Sequence, residues 1–135
     1  STMLRLILAV ILGPLIGLVV LGAIDGAANM IFPPPAGVNL TDPAAIRAAT
    51  AVLPFGAQVG AILAWLLGAL AGAWSANLIA GRRALAGRIV SGLFLAFAAW
   101  TMATTAYPLW TRAGLVIAVL IAAVAADRAS GKARN

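Results

Sequence analysis

The sequence predicts an all-α protein, a bundle of four transmembrane helices with one extracytoplasmic loop that carries a short surface helix. Three observations carry that prediction. Of 135 residues, 64% are hydrophobic, against the 45–50% apolar share of ordinary soluble domains, and the mean hydropathy is +1.08. The apolar residues fall into four runs, about 4–31, 54–80, 89–107 and 108–126, each long enough to cross a hydrocarbon core of about 30 Å. Only twelve residues are charged, nine basic and three acidic, and the bases cluster at the ends of those runs. The whole chain reads as one integral membrane domain.

The first run, Leu4 to Ile31, is interrupted only by Arg5, Asp25 and Asn29 among its charged and amide residues. It is too long for the apolar core of a cleavable signal peptide and is expected to be a retained helix. At about 1.5 Å per residue it exceeds the hydrocarbon thickness, so it must tilt, bend or project, and Gly13-Pro14 is the expected bend. Pro33-Pro34-Pro35 then stops the helix and opens an extracytoplasmic loop, about 32–53, as a stiff extended segment. Within that loop Asp42-Pro43 reads as an N-cap followed by proline at the first helical position, starting a short helix to about Val52 that lies on the membrane surface.

The second run carries a small residue at every fourth position: Gly56, Gly60, Ala64, Gly68, Gly72, Ala76 and Ala80. Each step of four advances about 40° around a helix, so the ridge winds. A straight neighbour could not follow all of it, and the two halves are expected to pack on different helices through small-xxx-small crossings. Residues 81–88 read as a short basic hairpin. The fourth run repeats the small ridge at Gly114, Ala118, Ala122 and Ala126, with Arg112 expected to snorkel to the interface beside Trp110, and a basic tail occupies 127–135.

Counting Lys and Arg places seven on the side of the termini (Arg5, Arg82, Arg83, Arg88, Arg128, Lys132, Arg134) and two, Arg47 and Arg112, on the side of the proline loop. The asymmetry predicts cytoplasmic N- and C-termini in what is expected to be a bacterial cytoplasmic membrane. The same distribution argues against nucleic acid as a partner, because no basic face with interleaved aromatics forms.

A polar residue inside a span is costly, so its position carries information. Asp25, Asn29, Gln58, Thr101, Thr104 and Tyr107 all fall near the loop-side ends of their runs and are the candidates for a ligand or ion site. Ser75, Asn77 and Ser91 lie at the other side, near the basic hairpin. On a helical wheel Gly22, Asp25 and Asn29 fall within about 60°, with Gly26 at the border, which predicts that Asp25 points into a closely packed bundle. Gly22, Gly26, Gly56, Gly60, Gly68, Gly72 and Gly114 are the expected helix-packing positions. Three readings are open for Asp25: a structural carboxylate bonded to Asn29, Tyr107 or a threonine; a proton- or cation-responsive group; or the anchor, with Asn29, for a lipid or small amphiphile.

The chain has no Cys and no His, and one intramembrane carboxylate lacks the second group that acid–base or nucleophilic catalysis needs. No catalytic residue, metal ligand or cofactor is expected, and the protein is read as a non-enzyme.

The loop residues 31–43, with Pro33-Pro34-Pro35-Ala36-Gly37 and Leu40-Thr41-Asp42-Pro43, together with the Gly-rich second run and Tyr107-Pro108-Leu109-Trp110, are similar to a group of small bacterial four-helix integral membrane proteins. The resemblance covers nearly the whole chain through loop and packing features. It implies a carboxylate at the place of Asp25, often Glu, and frequent His at the places of Asn29 and Tyr107, where this chain has neither imidazole. It implies the fold and no established activity. Function is therefore expected in an accessory, binding or assembly subunit in contact with membrane lipids, self-associating or docked in a larger membrane complex; the alternative is a small proton- or ion-coupled transporter or channel in which Asp25 titrates.

Overall fold

The computed structural model describes every residue except 1, 34–36, 38, 40, 53, 82, 106 and 130–135. Pro34 and Pro35 of the expected proline segment, Arg82 of the basic turn, and Lys132 and Arg134 of the tail lie outside the described residues. Among the described residues there are five helices: α1 Thr2–Ile31, α2 Pro43–Ala51, α3 Phe55–Ile79, α4 Ala84–Thr104 and α5 Leu109–Ala129. All but α2 are long and apolar enough to cross a membrane. The turn between α3 and α4 and the C-terminal end of α5 lie at the same end of the bundle as Arg5, here the basic end; residues 32–54 and 105–108 form the loop end.

Helix α3 is the hub, packing against α1, α4 and α5, while α4 also packs against α1 and α5. The reason is its composition. Gly and Ala fill most of its buried positions, Ala61, Ala64, Gly68, Ala69, Gly72, Ala73 and Ala76 among them, so three neighbours approach its backbone closely. One large side chain, Trp65, breaks the pattern and meets the Phe94 ring edge-on with centroids 6.2 Å apart and the Phe97 ring at 4.9 Å.

The ridge on α3 is met by α1, or by Phe32 just past it, at Gly56, Gly60, Gly68, Gly72 and Ala76, and at Gly72 also by α4, where a Cβ would lie 3.1 Å from the Phe94 ring. A Cβ at Gly56 would run into the Phe32 ring just past α1, one at Gly60 would lie 2.7 Å from Ala28 Cβ, one at Gly68 2.9 Å from the Gly17 carbonyl oxygen, and one at Gly72 3.0 Å from that of Gly13. The straight-neighbour premise fails because α1 carries its own small ridge, Ala9, Gly13 and Gly17, at the same four-residue spacing. Two ridges of equal period can interdigitate over their common length. Pro14 sits inside α1, which continues unbroken from Thr2 to Ile31.

Element ends differ from the sequence reading where charge and proline were taken as boundaries. The basic stretch 81–88 is mostly helix: α4 begins at Ala84, and only Ala80 to Arg83 separates it from α3. Gly81 adopts φ +77°, a left-handed conformation open to glycine, and this permits so tight a turn. At the other end α4 stops at Thr104, with Thr105 extended, and the Pro108 carbonyl receives the N–H groups of Thr111 and Arg112 to start α5. Helix α2 begins as expected, the Asp42 side chain accepting the Ala44 N–H at 3.0 Å.

Candidate functional site

Two buried side chains of α3 fasten the bundle, one near each membrane surface. At the loop end Gln58, 6% exposed, accepts a short hydrogen bond from the hydroxyl of fully buried Thr111 on α5. At the basic end Asn77, 0% exposed, accepts the Gly87 N–H of α4 at 2.6 Å and donates to the Ala126 carbonyl of α5 at 3.5 Å. Unsatisfied polar groups at these depths would be costly, so each amide fixes the rotation of its neighbours. Thr111→Val, which keeps the shape and removes the hydroxyl, is expected to lower the free energy of unfolding by about 1 kcal/mol. Titration with dodecyl sulfate in mixed micelles measures this; an unchanged midpoint would remove the bond as a stabilising contact.

The polar residues picked out near the loop end do not gather into one cluster. Gln58 turns to α5. The Thr104 hydroxyl bonds back to the Trp100 carbonyl at 2.9 Å, as threonines in membrane helices commonly do. Thr101 is half-buried and Asn29 is exposed. Asp25 is half-buried and, among the described residues, makes neither a hydrogen bond nor an ion pair, so none of the intramolecular partners expected for it is engaged. Its electrostatic neighbour is Tyr107, in the turn between α4 and α5, whose phenol is held above its ordinary range by burial and then by the Asp25 charge. Tyr107 therefore stays a neutral hydroxyl at neutral pH.

Depth follows from spacing. Asp25 lies twenty residues beyond Arg5, about 30 Å along the helix, which matches the hydrocarbon thickness. With the Arg5 guanidinium beside Gly81 at the basic end, Asp25 lies towards the loop end of α1, near Tyr107.

The glycines of α1 divide into two groups. Gly13 and Gly17 are enclosed, whereas a Cβ at Gly22 or Gly26 would meet nothing within 4 Å. The packing expected at Gly22 and Gly26 is thus not made within the chain. Both lie on the side of α1 turned away from α3, because Leu21 and Ala28, which touch Gly68 and Gly60, mark the side turned towards it. Gly114 does pack, its position closed by the Ile62 side chain of α3.

No family model matches the chain, and no curated protein or solved structure matches it.

Several features of the site were hidden in the sequence. Gly13 and Gly17 carry the tightest contact of α1, and their spacing from Ala9 was the available signal. Arg112, expected to snorkel to the interface, reaches the Thr105 carbonyl of the loop end with Nη2 at 3.5 Å, while its Nε is enclosed without a partner among the described residues. Arg88 pairs with Asp127 at 3.2 Å, closing α4 on α5 at the basic end. No group of three or more acidic, His or Cys side chains that could hold a metal occurs among the described residues.

Proposed function

We propose that the protein is a non-enzymatic assembly subunit of a bacterial cytoplasmic membrane, docking through the loop-end half of α1 onto a transmembrane helix of a second copy or of a larger complex. The observation that carries this reading is Asp25: a half-buried carboxylate near the loop end of α1 with no hydrogen bond among the described residues, flanked by Gly22 and Gly26 whose surfaces are open. A helix laid against these two glycines can approach the backbone closely and donate a hydrogen bond or a positive charge to Asp25. Asn29, exposed one turn further on, adds a second polar contact. The seven-to-two excess of basic residues on the side of the termini supports their cytoplasmic placement.

The absence of cysteine makes the test clean. Single Gly26→Cys and Ile117→Cys variants, oxidised in native membranes, compare the proposed face with an exposed position on α5. Gly26→Cys is expected to give a disulfide-linked dimer, or an adduct with a cysteine-bearing partner, and Ile117→Cys is not. Adding Asp25→Leu to Gly26→Cys should reduce the adduct about tenfold, the equivalent of about 1.4 kcal/mol. Equal linking at both positions, or linking indifferent to Asp25, would overturn the docking face. Ion or proton flux in liposomes that Asp25→Asn abolishes would instead establish the transporter alternative.

A further inference from the structure

At the basic end, between α4 and α5, runs a groove of about 270 Å³ whose walls include Arg88, Ser91, Gly92, Leu95, Val124 and Asp127. It is separate from Asp25, which lies towards the loop end of α1. Ser91 is 6% exposed and makes no hydrogen bond among the described residues, yet it lines the groove. Among the described residues Arg112 Nε is the buried side-chain polar atom without a partner, so the Ser91 oxygen is open to the groove, where its hydroxyl can donate to a bound acceptor. Next to it Gly92 leaves the wall open, since a Cβ there would meet nothing within 4 Å.

The groove is ordered by polarity. Arg88, Ser91 and Leu95 follow at spacings of three and four along one side of α4, giving a cation at the membrane surface, a hydroxyl one turn deeper and hydrocarbon below. The ion pair with Asp127 engages Arg88 Nε, and the guanidinium has four further N–H donors. Val124 also borders a second apolar groove along α5, lined by Ile117, Leu120 and Ile121 and ending at Arg128.

We infer that this groove binds one phospholipid with an anionic headgroup. The phosphate sits on Arg88, within the field of Arg128; an ester carbonyl accepts the Ser91 hydroxyl; one acyl chain runs over Gly92 between Leu95 and Val124, and the other follows the groove on the far side of Val124. A phospholipid presents phosphate, ester and hydrocarbon in the same order as the groove presents cation, hydroxyl and apolar wall. The described side chains of this end, Arg5, Arg83, Arg88 and Arg128 against Asp127, favour net negative charge over a zwitterion.

Native mass spectrometry of the full chain in mild detergent, titrated with phosphatidylglycerol, with phosphatidylcholine of the same acyl chains, and with inorganic phosphate, tests this. One phosphatidylglycerol per chain is expected, saturable and retained about tenfold more tightly than phosphatidylcholine. A Cβ at Gly92 would meet nothing within 4 Å, so Gly92→Leu enters the groove without a backbone clash and should weaken binding at least about tenfold with its unfolding midpoint unchanged or raised. Arg88→Gln should erase the preference between the two lipids while leaving the fold intact, since an exposed ion pair contributes little. Binding that survives Gly92→Leu, equal retention of both lipids, unsaturable uptake, or displacement by inorganic phosphate would each overturn the proposal.

Discussion

Gly17→Leu is expected to lower the free energy of unfolding by about 3 kcal/mol, the upper part of the overpacking range, whereas Gly22→Leu in the same helix should change it by less than about 0.5 kcal/mol. The two glycines are five residues apart and chemically identical, so the difference isolates their surroundings. A Cβ at Gly17 would lie 2.6 Å from the Gly68 carbonyl oxygen and 2.6 Å from the Phe94 ring. The first of these is backbone in the central helix and cannot swing aside, so α1 must lift from α3. At Gly22 there is open space, and the gain in helix propensity on replacing glycine offsets other small losses. Unfolding in mixed micelles of dodecyl maltoside and dodecyl sulfate, followed by the fluorescence of Trp65 beside Phe94, reads both variants. Equal midpoints would show that α1 does not rest on α3 as described.

Asn77→Leu is expected to cost about 2 kcal/mol, within the range for leaving buried polar groups without partners. Leucine has the same branched shape but bulkier methyl groups, so the loss reports the missing hydrogen bonds and crowding against Gly87, not a cavity. It removes the bonds that tie Asn77 to the Gly87 N–H of α4 and to the Ala126 carbonyl of α5. Gly87→Ala attacks the same contact from the other side, because its Cβ would lie 2.6 Å from both Oδ1 and Nδ2 of Asn77. The double variant should therefore cost clearly less than the sum of the single ones, the signature of a shared interaction. Additive losses would mean that Asn77 and Gly87 act independently.

The architecture was legible because length and apolarity decide it: four runs of sufficient length leave few alternatives in lipid, where the backbone must bond within its own segment. The α2 start was legible for a local reason, since Asp42 and Pro43 supply the cap and the first helical residue themselves. The end of α3 and the start of α4 were obscured by Arg83 and Arg88, which composition assigns to a loop but which a helix near the interface accommodates. Which glycines pack was not legible. Gly17 and Gly22 look alike in sequence, and the order of neighbours around α3 distinguishes them. Nor could the wheel show that Gln58 would meet Thr111, because that pairing depends on the rotation of α5. Asp25 was recognisable as a costly residue, but that it makes no hydrogen bond among the described residues is a property of the assembled bundle.

The seam between α1 and α3 carries a problem of register. With Ala9, Gly13 and Gly17 facing Gly68, Gly72 and Ala76, both surfaces repeat every fourth residue, so sliding one helix by a turn, about 6 Å, would lay small residue against small residue again. The middle of the seam therefore encodes closeness without encoding position. Position is written at its two ends, where the Phe32 ring rests on Gly56 and the Arg5 guanidinium lies 3.2 Å from where a Cβ of Gly81 would be. A bulky aromatic ring at one boundary and a cation at the other act as stops, and between them they select one alignment from several that the glycines alone would accept.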